Sequence, residues 1–501
     1  MSDQPRSVPD RPNLRYLKLQ AKRRLAAGEF SALHEAQLAI AREHGMPSWA
    51  ALKRSLSVDQ EGHAVSQIRW VTARFAGAAD PAWTRPGEGE LREHFADRFL
   101  GRIPPEKLVP MLVERVAGVP QELVVTADTP QMARARVAGL QIHAGVEAEP
   151  PHRVIGLRLE SVGSRVTDPR VDSPPTSAAG AVPASVSAIA DEAFAEFGLV
   201  GLVLAGGAPG GPVWAAGQGW ADLDRAEVLT PASAFPVHQI TTLITSTAVL
   251  RLVADGRVGL DDPVNRHLRT VRLADDTVTV RELLTQTGGV DGSPARFAER
   301  VRDLATLFGP VLSGNGDRGV VRPSDGGYGA LGQMIADLTG QPYPGAVGRL
   351  VLEPLGMSGS WFPDAWPGRG MNPVTGYHLA DGSFAPAPER VGAVQAFAGL
   401  WTTATDLVRF GLAWSSLLPG ELAREALRPQ AVRRPAPGHI GFGWMINSSR
   451  GVAGMAGHGP GANASLVIGL DRGDVNVALT NRRVTIESVN GRVRHSVAGE
   501  D

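Results

Sequence analysis

Beyond residue 230, a small set of side chains has types and spacings that could do chemistry. His238 and Gln239 head a helix-like stretch, with Thr242 three residues further on. Asp325 and Tyr328 flank a Gly-Gly pair. His458 precedes Gly459-Pro460-Gly461. His458 and Asp325 can carry protons, which makes them the candidate catalytic groups. Gln239, Thr242, Tyr328, His238 and the backbone N–H of Gly461 can position a ligand through hydrogen bonds. What the set lacks is equally informative. The lysines are Lys18, Lys22, Lys53 and Lys107, and none follows. An amide cannot attack a carbonyl, and a threonine hydroxyl is no base near neutral pH. The nearby hydroxyls of Thr241, Thr245 and Ser246 have no lysine to activate them. The chain has no cysteine, which excludes thiolate chemistry and disulfides. Its 12 histidines are scattered without zinc-ligand spacing, so neither a metal nor a cofactor is expected.

These residues need a scaffold, and the flanking pattern supplies one. Ile240, Leu243, Ile244, Thr247, Leu250 and Val253 give a helix from near His238 to Ala254 an apolar face, with Gly256 as its stop. A helix opens near Gly327, where Asp325 reads either as an N-cap or as a proton carrier. Stretches 186–197, 198–205, 213–219, 466–470 and 475–480 read as one helix followed by strands of an antiparallel sheet. The glycine-rich run Gly206–Gly211 has no following lysine and reads as a hairpin turn, not a phosphate loop.

The segment Phe235-Pro-Val-His-Gln-Ile-Thr-Thr242, continuing to Gly-Arg-Val-Gly-Leu-Asp-Asp-Pro-Val264, carries a resemblance. It resembles the Phe-x-x-x-Ser-x-x-Lys helix and Gly-x-x-x-Leu-Asp-Asp-Pro-Val run of serine β-lactamases and penicillin-binding proteins of the class C and esterase type. Val278–Gly289, Gly327–Gly332, Leu400–Leu407 and Gly441–Trp444 are similar to further family words in the same order. The resemblance implies an antiparallel sheet flanked by helices. It places Gln239 at the nucleophilic serine and Thr242 at its lysine. It places Pro323, Ser324 and Asp325 at Tyr-x-Asn, and His458-Gly459-Pro460 at the Lys-Thr-Gly or His-x-Gly strand motif. Tyr328 matches a structural tyrosine of the family. The resemblance also implies an oxyanion site built from the N–H groups of Gln239 and Gly461, each worth about 3–4 kcal/mol to a developing anion.

The fold expected for the whole chain is multi-domain α+β. A helical module spans residues 1–60, and its text resembles a small actinobacterial module. An α+β domain over 66–163 resembles ketosteroid-isomerase-like domains, with His94, Asp97, His143 and His152 at strand ends or around a pocket. A Pro/Ser/Ala-rich linker covers 164–185, and the β-lactamase-like domain covers 186–490. A formal charge of −1 and a pI near 6.9 give no electrostatic case for nucleic acid or membrane. The polar first residues and the absence of a long apolar run point to a cytoplasmic protein.

Three functions compete at this stage. The first is a small-molecule-binding pseudoenzyme, or a non-covalent catalyst of proton transfer, cyclisation or isomerisation, in specialised metabolism. The second is a hydrolase with a non-standard nucleophile, Ser246 or Thr241 activated by His458. The third is a regulatory protein that docks a partner through residues 1–60.

Overall fold

The computed structural model describes residues 24–25, 30 and 33–43. It describes 62–161 except 81, 102, 119–123, 130, 138–139 and 148. It also describes 166, and 168–498 except 293–296, 367–371, 381 and 434–437. The chain forms two compact units, residues 1–159 and 160–501.

In the first unit, helix α1 (Leu33–Glu43) turns Ala36 and Ile40 inward. The remainder of the helical module expected over 1–60 lies almost wholly outside the described residues. Helices α2 (His63–Ala76) and α3 (Pro105–Val116) bury apolar stripes, Ala64/Ile68/Val71/Phe75 and Leu108/Leu112/Val116, at helical spacing. They share a core with a four-stranded antiparallel meander, β1 (Val124–Thr129), β2 (Met132–Val137), β3 (Leu140–Val146) and β4 (Val154–Ser161). Strands β2 and β3 are antiparallel, with Val137 paired to Leu140.

The second unit is built on one large sheet. Its long strands are β5 (Thr176–Ala179), β6 (Gly201–Gly207), β7 (Trp214–Asp222), β8 (Val452–Gly459), β9 (Ala462–Gly469) and β10 (Val475–Thr480). They are hydrogen-bonded in the order β8-β9-β10-β6-β7-β5, and three short strands between 431 and 447 extend the β8 edge. All pairs along this path are antiparallel. The stretch expected to be a linker is corrected by two observations. Residues 176–179 form edge strand β5 against β7. Asp168, almost fully buried, takes Arg170 at 2.6 Å and the Phe384 N–H at 3.2 Å.

Period-two alternation gives the sheet two apolar faces. One face carries helices α4 (Ser185–Phe197) and α7 (Glu487–Ala498), packed on Leu202, Leu204, Trp214 and Ala478. The other carries helix Ala404–Ala413 and the main core around α5 (Thr241–Ala254) and α6 (Asp325–Thr339). Most of α5 is buried, hydroxyls included. Thr242, Thr245 and Thr247 are tolerated there because each donates to a carbonyl three or four residues back, on Gln239, Thr241 and Leu243.

Candidate functional site

The head of the motif helix meets the end of strand β8. A short 3-10 turn, His238–Ile240, leads into α5. Below it, Gly457 faces the turn so closely that a Cβ there would lie 2.0 Å from the Val237 carbonyl oxygen and 3.2 Å from the Gln239 nitrogen. At Gly459 a Cβ would lie 2.2 Å from Cε1 of His238. The imidazole therefore rests on bare backbone, and both glycines are required by close approach.

Gln239 reaches across this junction. Its Oε1 accepts the His458 N–H at 2.8 Å. Beyond Gly454, the edge of β8 away from β9 has no strand neighbour among the described residues. The glutamine side chain thus occupies one of the backbone donors that a strand edge offers to an extended ligand. Thr242 is fully buried, and its Oγ1 donates back to the Gln239 carbonyl at 2.8 Å.

His238 is the most perturbed group. It is 2 % exposed, its backbone is left-handed (φ 47°), and neither ring nitrogen has a hydrogen-bond partner among the described residues. Burial, reinforced by the charges of His458 and Arg483, pushes its pKa down to about 3, so the ring is neutral. Phe297 meets it edge-on, with ring centroids 5.3 Å apart.

The structure separates several residues that the sequence had grouped. Odd-numbered β8 residues face the motif helix: Ala453 and Met455 enter the main core, and Gly457 and Gly459 meet the 3-10 turn. His458, of opposite parity, projects to the other face, where Nε2 lies 2.9 Å from Glu487 Oε1 at the start of α7. That approach suits an ion pair but has no hydrogen-bond angle. The role of His458 as proton carrier beside Gln239 is therefore corrected: its side chain points away from the motif helix.

Gly461 lies in a turn. Pro460-Gly461 is the two-residue turn joining β8 to β9, with Gly459 paired to Ala462 and Gly461 at φ 61°. The Gln239 nitrogen sits against Gly457, two residues and about 7 Å of strand before that turn begins.

Asp325 is 1 % exposed and is the first residue of α6. The N-cap is Ser324, whose Oγ accepts the Gly327 N–H at 3.0 Å and donates to the Asp291 carbonyl at 3.1 Å. The N-cap reading of Asp325 shifts by one residue. The carboxylate stays in the first turn, where the helix dipole favours it.

Tyr328 is buried, donates to the Leu284 carbonyl at 3.1 Å and meets Ser246 Oγ at 3.1 Å. Burial raises its pKa to about 12. Ser246 is committed to that contact, and Thr241 Oγ1 accepts the Leu400 N–H at 3.1 Å. Both hydroxyls are buried and neither meets His458, so the arrangement of Ser246 or Thr241 with that base is not formed.

Other family-like words are structural. Thr279 and Glu282 form a capping box. Arg281 holds Asp261 and Glu425, each at 2.7 Å. Buried Asp406 ties Gly359 N–H and Ser360 Oγ to its helix.

An aromatic group escaped sequence reasoning. Trp401 pairs with Pro236, two residues before His238, and its ring lies 5.0 Å from Trp366 and 6.0 Å from Trp361. A cavity of about 20 Å³ runs past Pro236, Trp366, Trp401, Pro460 and Gly461. Trp361 and Trp366 are five residues apart and Trp401 lies 35 further on, with no helical or strand spacing, so no pattern signalled them.

In the first unit, His63 stacks on His152 (3.5 Å) and Trp70 on His94 (3.6 Å), and Gln67 Oε1 meets His94 Nδ1 at 2.9 Å. Asp97 pairs with Arg92 instead, and His143 sits on β3 opposite Arg134. Among the described residues, no cluster of His, Asp and Glu could hold a metal, and no helix is long and apolar enough to cross a membrane.

An antiparallel sheet between two helical layers, with a motif helix heading into the end of one strand, is the architecture of the β-lactamase and penicillin-binding-protein class. A family model described as Beta-lactamase matches residues 186–498, more than half of the chain, and the chain belongs to that family. Esterase EstB of Burkholderia gladioli is 31% identical over 324 residues, covering 53% of this chain and 80% of that protein. The octameric penicillin-binding protein homologue from Pyrococcus abyssi superposes with a TM-score of 0.54 at 20% identity, over 63% of this chain and 77% of that one. The D-amino acid amidase from Ochrobactrum anthropi, complexed with L-phenylalanine, gives 0.54 at 22% identity, over 63% and 98%. At these identities the two structures speak for the fold alone.

Proposed function

We propose that the C-terminal domain is a non-acylating member of its family that binds a small molecule at the head of the motif helix. The observation that carries this reading is the Gln239 bridge. The residue matched to the nucleophilic serine is an amide, and its oxygen is spent on the His458 N–H. Three further facts support it. Thr242 is turned back onto its own helix. No lysine follows Lys107. Ser246 and Thr241 are buried in other contacts.

The cavity beside Trp366 and Trp401, about 20 Å³, has room for a single water, and the His238 ring nitrogens are buried. A ligand would therefore meet the Gln239 amide, the neutral His238 ring and the Trp366/Trp401 wall only once this junction opens. That mixture suits a flat, partly apolar molecule with a few hydrogen-bonding groups. With His458 turned to Glu487 and Asp325 buried in its helix start, binding is favoured over non-covalent catalysis. A pairing with a ketosteroid-isomerase-like first unit, and a role in specialised metabolism, belong to the same proposal.

The second reading, a hydrolase with another nucleophile, draws on the similarity to an esterase. Intact-mass analysis after exposure to a fluorophosphonate and to a penicillin separates the two. No adduct is expected. A stable adduct mapped to residues 186–498 would overturn the non-acylating reading.

A further inference from the structure

The groups that enclose His238 differ in how firmly they are held. Its ring lies over Gly459 of β8, a strand of the large sheet. The turn that carries it is anchored as well. The Val237 N–H donates to the Leu400 carbonyl at 3.1 Å, and Ile240 and Leu243 enter the main core. Its aromatic neighbour is Phe297, with ring planes at 82° and centroids 5.3 Å apart.

Phe297 begins a strap of little intrinsic stability. Phe297 and Ala298 pair with Gly392 and Val391 in a separate sheet of two strands, each two residues long. Both strap residues are half-buried, and Phe297 stands outside the main core. Further on, Arg300 bridges Ala365, and the Val301 N–H donates to the Asp364 carbonyl at 2.8 Å. The Trp366 N–H donates to the Glu299 carbonyl at 3.1 Å. A two-stranded sheet this short is marginal on its own, and local opening concentrates where few apolar contacts are buried. The Glu299–Trp366 bond ties the strap to the aromatic wall. One displacement would therefore uncover His238 and widen the cavity lined by Trp366.

We propose that Phe297 gates the motif-helix site: its strap lifts from Val391–Gly392, and a planar, hydrogen-bonding ligand takes the place of the phenyl ring beside His238. The gate serves the small-molecule site proposed above and rests on that reading. It is tested at His238 in the free protein, whereas the non-acylating reading is tested by adduct mass, so each can fail alone.

The probe is diethyl pyrocarbonate, which ethoxycarbonylates an accessible neutral imidazole nitrogen and releases ethanol and carbon dioxide. The His238 ring is neutral at pH 7, and exposed His378 is the internal reference. Rates are read on the full chain by peptide mass spectrometry. The chain has no cysteine, so Ala298→Cys with Val391→Cys gives one defined cross-link. Paired residues of antiparallel strands lie about 4.5–5.5 Å apart at Cα, within the span of a disulfide. His238 of the native chain is expected to react slowly but measurably, and at least tenfold faster in Phe297→Ala. The oxidised double variant should react at least tenfold more slowly than the same protein reduced. If the double variant does not fold, Val391→Ala, which loosens the same bridge with Phe297 in place, should raise the rate at least threefold. Equal rates in the oxidised and reduced forms, an unchanged rate in folded Val391→Ala, or a His238 that stays unreactive in Phe297→Ala would each overturn the gate.

Discussion

Replacing Gln239 with leucine removes the amide oxygen while keeping an apolar stem of similar reach. The bond it deletes is a neutral contact of 2.8 Å to the His458 N–H. Such a bond contributes about 1 kcal/mol net, and a fully desolvated orphan donor costs about 1–3 kcal/mol. His458 is half-buried, so water can partly replace the lost acceptor and the lower part of that range applies. About 1–1.4 kcal/mol corresponds to a fall of roughly five- to tenfold in exchange protection of that amide. The global effect should be small, a drop of about 2–4 °C in melting temperature. Hydrogen–deuterium exchange with mass spectrometry on peptides spanning 452–459 measures the local term. Gln239→Glu is the control: its carboxyl oxygen accepts in either protonation state, so protection should persist. Unchanged protection in the leucine variant, with the protein folded, would mean that the bridge does not hold the strand edge. The main support for a self-occupied site would then be gone.

Three further outcomes follow from the same geometry. His238, with a folded pKa of about 3 against roughly 6.5 unfolded, contributes stability that is full above pH 6.5 and is lost as pH falls toward 3, about 5 kcal/mol at most. His238→Asn, which tolerates the left-handed backbone, should lower stability near pH 7.5 but flatten the decline between pH 6.5 and 4 in urea titrations. An unaltered slope would refute the assignment. Asp168, held near a pKa of about 2 mainly by its hydrogen bonds from Arg170, contributes stability present above roughly pH 3.8 and lost below it. Because Arg170 is 40% exposed, about 1–2 kcal/mol is expected for Asp168→Asn at pH 7, read as a shift in urea midpoint; no shift would refute it. Gln239→Ser alone should give no penicillin adduct by intact mass, whereas Gln239→Ser with Thr242→Lys should acylate slowly. Acylation of the single variant would show that some other base serves the site.

The fold of the second unit was legible because its signals are periodic or local. Ile240, Leu243, Ile244 and Leu250 recur at helical spacing and lie in the main core. Asp261, Arg281 and Thr279 are fixed by caps and ion pairs that short words encode. The chemistry was less legible because it depends on which face a residue takes. His458 reads as the surviving proton carrier until strand parity is known. One step of alternation sends it toward Glu487 and leaves Gly457 and Gly459 facing the motif helix. The segment 164–185 misled for a different reason: its composition is that of a linker, but β5 is an edge strand whose ladder bonds need no apolar pattern.

The way the motif words divide bears on function. Those concerned with building the domain, such as the capping box, the Asp261–Arg281 pair and the Asp406 ties, keep both their residues and their contacts. At the positions matched to the acylation machinery, the side chains have turned inward to the protein: Gln239 to strand β8, Thr242 to its own helix, His458 to Glu487. Random decay would leave orphaned polar atoms in such a place, and each would cost about 1–3 kcal/mol. Gln239, Thr242, Ser246 and Tyr328 are each paired, whereas His458 Nε2 and both nitrogens of the neutral His238 ring over Gly459 have no hydrogen-bond partner among the described residues. If the site has kept a ligand, that ligand should bond to His238. A ligand whose affinity survives His238→Asn unchanged would place recognition elsewhere, on the Trp366/Trp401 wall.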